Sequence, residues 1–179
     1  VDGHGCVVED LIAADPPAKM VVITPSNQYP LGGTMSLQRR LKLLEWCHRK
    51  DVVVFEDDAD SEFRYATRPL APLKALDRRN SVIYAGTFSR ILHPSLRLGY
   101  LILPPARVSG VIGVRQRSDR HPPPLEQALL AEFIARGHFA IHVRKMRKLY
   151  RERQAAMVAA LRRELPAKAQ VLPAGAGIN

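Results

Sequence analysis

Four short apolar runs, each cut off by a turn or by a helical pattern, constrain this chain most. They are "MVVIT" (Met20–Thr24), "VVVFED" (Val52–Asp57), "SVIYAGT" (Ser81–Thr87) and "RLGYLILP" (Arg97–Pro104). Runs of this length rich in β-branched residues read as buried strands. Between the first two, "TMSLQRRLKLLEWCHRKD" repeats Leu37, Leu41, Leu44 and His48 at helical spacing, with Thr34 or Ser36 as a candidate cap. Buried strands separated by helices predict an α/β fold with a mostly parallel sheet covered on both faces.

From Leu125 the pattern turns helical. Leu125, Ala128, Leu129 and Phe133 predict one apolar face, and Gly137 a stop. A second long helix is predicted from about Phe139 to Leu165, with Val143, Met146, Tyr150, Met157 and Leu161 as its stripe. The breaker at Pro122–Pro124 marks the expected boundary between a first part, 1–120, and a second, 121–179. Four strands make a small sheet to stand alone, and "VLPAGAGIN" stops where a new element is due. The chain is therefore expected to be part of a larger domain.

Composition narrows the class. No apolar run approaches the ~20 residues that span a bilayer, and "VDGHGCVVEDL" lacks a secretory layout. Cys6 and Cys47 have no motif spacing and read as reduced thiols of a cytosolic protein, with a structural disulfide as the alternative. Net charge is +10, much of it in "HVRKMRKLYRERQAAMVAALRREL" (His142–Leu165). A solvated helix face explains that run, and nucleic-acid binding is the alternative. His138 and His142 have zinc-helix spacing, but the adjoining glutamate is absent.

Three stretches carry chemistry. "FEDDADSEFRY" (Phe55–Tyr65) crowds Glu56, Asp57, Asp58, Asp60 and Glu62 at a strand end, where open α/β sheets place ligands. A solvated acidic turn, a divalent-cation cluster without an EF-hand pattern, and one carboxylate holding a cationic ring nitrogen are the readings open to it. "GTFSR" offers the Thr87 and Ser89 hydroxyls, and Arg97 adds a fork suited to phosphate. "ITPSNQYPLGGTM" places Pro30, Gly32 and Gly33 in a tight loop at the same edge.

Together, "TPSNQYPLGGTMSLQRRLKLLEWC", "EDDADSEFRY", "GTFSRILHPSLRLGYLILP" and "EQALLAEFIARGHFAIHVRKMRKLYRER" resemble, in order and spacing, the aminotransferase-like domain of MocR-type GntR transcriptional regulators. The resemblance covers essentially the whole chain. It implies a three-layer fold-type-I pyridoxal-phosphate (PLP) domain, here incomplete, with residues 1–120 in the large domain and 121–179 as a helical link and the start of the small one. It implies a cytoplasmic protein that senses PLP or a PLP–amino-acid adduct. DNA would be bound only through a separate N-terminal domain, and the family's homodimer places its active site at the subunit interface. Asp57 matches the aspartate on the pyridine nitrogen. Thr87, Ser89 and Arg97 match phosphate-binding positions. Pro30 and Gly32 match the loop near the ring.

The chain departs from that pattern. Arg90 falls on the Schiff-base lysine, and a guanidinium stays protonated and cannot act as the amine nucleophile. Arg90 is still expected to pair with phosphate or with the acidic cluster. Ala59 stands where the family has a tyrosine that reaches the phenolic oxygen. The DNA-binding domain, the first strand, the glycine loop and the ring-stacking aromatic are expected before Val1, and the substrate-carboxylate arginine after Asn179. The expectation is a PLP-binding effector domain, with PLP binding weakened or lost and no transaminase activity. The alternatives are an amino-acid aminotransferase of class I/II and a basic nucleic-acid-binding fragment.

Overall fold

The computed structural model of the chain describes residues 1–29, 31–64, 70–166, 168–169 and 171. Its centre is a four-stranded sheet in sequence order: β1 (Met20–Ile23), β2 (Val53–Asp58), β3 (Val82–Thr87) and β4 (Gly99–Ile102). β1, β2 and β3 run parallel, while β4 turns back antiparallel along β3. Only a short loop and a 3-10 turn, Pro94–Leu96, separate β3 from β4, too little for the crossover a parallel neighbour requires.

One face of the sheet is covered by α1 (Val8–Ala14), α2 (Leu37–Lys50) and α3 (Leu73–Leu76). Val8, Ile23, Leu43, Cys47, Val54 and Val82 form the core there. Ser36 caps α2 by accepting from the Arg39 N–H at 3.3 Å. The predicted stripe of α2 is only partly inward. Leu37 and Leu41 are 46% and 49% exposed, whereas Leu44 is buried together with Arg40, Leu43, Trp46 and Cys47. A helix apolar on two sides lets spacing alone pick the wrong one, and the sheet chooses.

Arg40 is fully buried. Its guanidinium donates to the carbonyls of Met35, Pro25 and Ala71 at 3.0, 2.8 and 3.0 Å. It thus ties the start of α2 to the β1 exit and to the approach to α3. Burial draws its pKa below the usual arginine value. The loop into β3 is organised by Asp77, which accepts the N–H groups of Arg79, Ser81 and Val82 and contacts His48 Nε2 at 3.1 Å. Burial pushes the Asp77 pKa up, but these donors outweigh it and leave the group below its ordinary value.

The other sheet face is open, with Val22 68% and Met20 48% exposed. Beyond β4 come α4 (Pro105–Ser118), α5 (Pro124–Ala135) and α6 (His138–Glu164). α4 has no counterpart in the sequence reading, because Gly110 and Gly113 interrupt it and none of its residues is buried. In α5 the expected face is outward: Leu125 and Leu129 are 66% and 61% exposed, and Leu130 is the residue buried. α6 follows the prediction more closely. Val143, Met146, Tyr150 and Phe139 pack on Phe63 and Ile91. Met157, also placed in the stripe, is 61% exposed. Cys6 and Cys47 are free thiols, and burial pushes Cys47 up to about 11. Among the described residues, no helix is long and apolar enough to cross a membrane.

Gly86 lies opposite Tyr100 in the β3–β4 ladder. A Cβ there would stand 2.3 Å from the Tyr100 Cζ. The ring is hemmed by Phe88 at 5.3 Å and Tyr84 at 6.1 Å between centroids, so it has little room to move. Gly86→Ala is expected to cost about 1–3 kcal/mol in urea denaturation, and Tyr100→Ala in the same chain to relieve part of that cost. A loss below about 0.5 kcal/mol would show that the ring swings aside freely.

Candidate functional site

The parallel strands β2 and β3 end together, and the period-two alternation of strands sorts the side chains at that end. Asp57 pairs in register with Ala85, and Asp58 with Gly86. Asp57 therefore lies on the open face with Ala85 and, two residues on, Thr87. Asp58 lies on the covered face with Gly86, Tyr84 and Glu56. This alternation divides an acidic run that looked uniform in the sequence.

The covered-face carboxylates have structural partners. Glu56 is fully buried and accepts the N–H groups of Leu73 and Lys74 at 2.8 and 2.9 Å, capping α3. Burial raises its pKa. Asp58 accepts the Tyr84 hydroxyl at 2.8 Å, and burial with that carboxylate pushes the Tyr84 phenol far up. Neither belongs to a solvated turn. Asp60 is buried too, and it accepts the Asn27 amide at 3.1 and 3.4 Å. The Glu62 backbone carbonyl accepts from Arg147 Nε of α6, and burial raises the Glu62 carboxyl pKa. Among the described residues, no three histidine, cysteine or carboxylate side chains could hold a metal ion.

Asp57 is exposed, and among the described residues its carboxylate makes no hydrogen bond or ion pair. Thr87 ends β3, donating to the Leu98 carbonyl at 3.3 Å and accepting the Ser89 N–H at 3.2 Å. Phe88 N–H donates to the same Leu98 carbonyl at 2.9 Å. These bonds close the turn against the start of β4. Arg97 holds φ 48°, a left-handed backbone that costs a non-glycine residue roughly 1–2 kcal/mol. The Ser89 hydroxyl and the Arg97 guanidinium, among the described residues, are unspent. Arg90 is 45% exposed, with Nη1 3.6 Å from Asp60 Oδ2.

The loop before α2 reaches the same end through Asn27. Gly32 adopts φ 71°, closing a turn in which its N–H donates to the Gln28 carbonyl at 2.7 Å. Pro30, the other predicted loop residue, lies outside the described residues, as does Tyr65. Ala59 is half-buried between Asp58 and Asp60. The structure thus brings Asp57, Thr87, Ser89, Arg90 and Arg97 to one end of the sheet. Asn27 and Asp60 join them, and the sequence reading had given Asn27 no role and Asp60 only a place in the acidic run. The sequence signal for Asn27 was faint: a single amide in a turn-rich loop.

Other candidates separate from this end. His142 Nε2 contacts the Ile91 carbonyl at 2.9 Å while the His138 ring faces Phe133, so the pair shares no ligand geometry. An open groove of about 680 Å³, lined by Gly86, Arg97, Leu98, Tyr100, Arg115 and Leu130 among others, runs between β4 and α5. Asp57, Thr87 and Ser89 do not line it. On α6, Arg144, Lys145, Lys148 and Arg151 are exposed, away from Val143 and Tyr150.

Residues 3–178 match the family described as aminotransferase class I and II. The chain is 43% identical over 165 residues to "Probable rhizopine catabolism regulatory protein MocR" of Rhizobium meliloti, covering 92% of this chain and 33% of that protein. It is 37% identical over 179 residues to the uncharacterized HTH-type transcriptional regulator YdeL of Bacillus subtilis, covering 100% of this chain and 38% of that one. The chain therefore spans about a third of the length of these relatives. Among solved structures it is similar to LysN, the alpha-aminoadipate aminotransferase of Thermus thermophilus, in complex with N-(5'-phosphopyridoxyl)-L-leucine. The TM-score is 0.89 at 31% identity, over 98% of this chain and 46% of that one. The chain belongs to the aminotransferase class I and II family, has the fold-type-I PLP aminotransferase architecture, and is homologous to the aminotransferase-like domain of MocR-type GntR regulators.

Proposed function

We propose that this chain is the PLP-binding part of a regulator's effector domain, and that it holds the cofactor reversibly and does not transaminate. The observation that carries the reading is the convergence of Asp57 with Thr87, Ser89 and Arg97 at one sheet end while residue 90 is arginine. The donor set fits the group. An unpaired carboxylate suits a cationic ring nitrogen, and a free hydroxyl with a free guanidinium suits a phosphate. When bound, PLP supplies a cationic ring able to accept electron density. Asp57 would hold the ring nitrogen protonated, and Ser89 and Arg97 would orient the phosphate. Thr87 would shape the turn that presents them. Gly32 and Pro30 would border the ring.

Arg90 removes the amine needed for covalent attachment, and Ala59 removes a hydroxyl donor, so affinity rests on the phosphate and ring-nitrogen contacts alone. By the same reading the whole regulator binds DNA through a separate domain and works as a cytoplasmic homodimer. We place the division between the large-domain and small-domain parts at Pro122–Pro124, and the rest of the domain on the open sheet face around Val22.

The test is titration of PLP into the full-length protein, followed by borohydride reduction and mass spectrometry. Saturable binding without a pyridoxyl group on any lysine is expected. Arg97→Ala should weaken binding by about tenfold or more, the loss of a charged phosphate contact. A reduced adduct on a lysine, or pyridoxamine phosphate formed from an amino-acid donor, would overturn the reading.

A further inference from the structure

β1 also delivers a side chain to the candidate site, and the sequence reading gave it no role. Thr24 is the residue that follows β1. Ile23 pairs with Glu56 in the parallel register, so Thr24 lies level with Asp57. Val22, two residues earlier and 68% exposed, marks the open face, and alternation puts Thr24 on that face beside Asp57. The strand order sets Thr24 on one flank of Asp57 and Thr87, with the turn after it, on the other. Thr24 Oγ1 is buried and, among the described residues, has no hydrogen-bond partner. Such a group is uncommon in a folded protein and costs stability. The backbone just after it is pinned. The Pro25 carbonyl accepts the Met35 N–H at 2.9 Å and Arg40 Nη2 at 2.8 Å, and the Ser26 carbonyl accepts the Thr34 hydroxyl at 3.1 Å. Threonine is also stiff at χ1, so the hydroxyl has few other places to go.

Asp57 is the complementary case. It is exposed, and among the described residues its carboxylate makes no hydrogen bond or ion pair. Water serves it while the site is open. A carboxylate covered by a cationic ring spends one oxygen on the ring N–H, and its other oxygen is cut off from water. That oxygen then needs a donor from the protein. We infer that Thr24 is a positioning residue for Asp57: its hydroxyl donates to the carboxylate oxygen that the ring nitrogen leaves over, and so holds the carboxylate turned toward that nitrogen. The inference rests on the PLP pocket proposed above. It gives Thr24 opposite effects in the two states of the protein. The hydroxyl is a burden to the free fold and an asset to the loaded one, a trade of stability for function.

The test uses the full-length protein and PLP with an isotopically labelled ring nitrogen. Thr24→Val keeps the shape of the side chain and removes the hydroxyl, while Thr24→Ser keeps the hydroxyl. Without ligand, Thr24→Val should leave the urea midpoint unchanged or raised, since it removes an unsatisfied buried group. In calorimetry it should weaken PLP binding by about tenfold or more, the loss of a hydrogen bond to a charged group. In nitrogen NMR it should move the ring resonance from the pyridinium position toward that of neutral pyridine, because a carboxylate without its donor is the stronger base. Thr24→Ser should bind within about threefold of the parent and keep the parent's resonance. A packing role predicts the reverse order, with Thr24→Ser the weaker binder. Thr24→Val binding within about twofold of the parent, Thr24→Ser as weak as Thr24→Val, or an unmoved resonance would overturn the inference and leave the pocket standing. A lowered urea midpoint for Thr24→Val would overturn it too, by showing that the hydroxyl already has a partner in the free protein. A parent that binds no PLP would overturn the pocket reading and this inference with it.

Discussion

Arg40→Ala is expected to destabilise the protein by about 3–5 kcal/mol, enough to consume much of a typical domain's stability. The guanidinium is fully buried, and its three carbonyl partners come from three separate segments, at Pro25, Met35 and Ala71. Removing it leaves those acceptors in an apolar interior and opens a cavity beneath α2. Arg40→Lys should recover only part of the loss, since one ammonium cannot reproduce a planar fork aimed at three oxygens. The adjacent Arg39 is the control. It pairs with Asp2 at 2.7 Å near the surface, so Arg39→Ala should cost far less than Arg40→Ala. Urea denaturation of the full-length variants measures both. A loss below about 1 kcal/mol for Arg40→Ala would show that water reaches the carbonyls.

Arg90→Lys should convert a protein without a covalent cofactor adduct into one that forms it. After incubation with PLP and borohydride reduction, a pyridoxyl group is expected on residue 90 of the variant and on no residue of the parent. The turn that presents residue 90 is set by backbone and Thr87 hydrogen bonds that the substitution leaves alone. Asp60, beside residue 90, favours the protonated amine, so Asp60→Asn in the lysine variant should speed adduct formation. A lysine variant that binds PLP yet yields no adduct would mean that the turn points residue 90 away from the ring. One that binds no PLP would remove the pocket.

Much of this site was legible in the sequence because its chemistry is local. The Thr87–Ser89 spacing, Arg97 and the arginine at position 90 are adjacent in the chain, and a strand end followed by small polar residues reads the same in either description. Asp57 could be named from its place at the end of a β-branched run. Its neighbours could not be sorted so easily. Glu56 and Asp58 looked like members of one acidic turn, and only the pairing of β2 with β3 shows that they face the covered side and hold α3 and Tyr84. Asn27 and Asp60 are 33 residues apart and meet only in the fold.

The helices divide in the same way. α6 announced its buried stripe at Val143, Met146 and Tyr150, because one face is apolar and the opposite face is charged. α2 and α5 carry leucines on more than one side, and there the packed neighbours decide: Leu43 and Leu130 are buried while Leu41 and Leu129 are exposed. α4 carries Val108, Val111 and Ile112 at helical spacing but buries none of them. By itself the sequence determined the succession of strands, the polar turn after β3 and the arginine at position 90, all properties of contiguous residues. Tertiary structure decided which face each carboxylate serves, that β4 returns antiparallel, and that Arg90 pairs with Asp60 of the acidic run at 3.6 Å, since these depend on register and on contacts between distant segments.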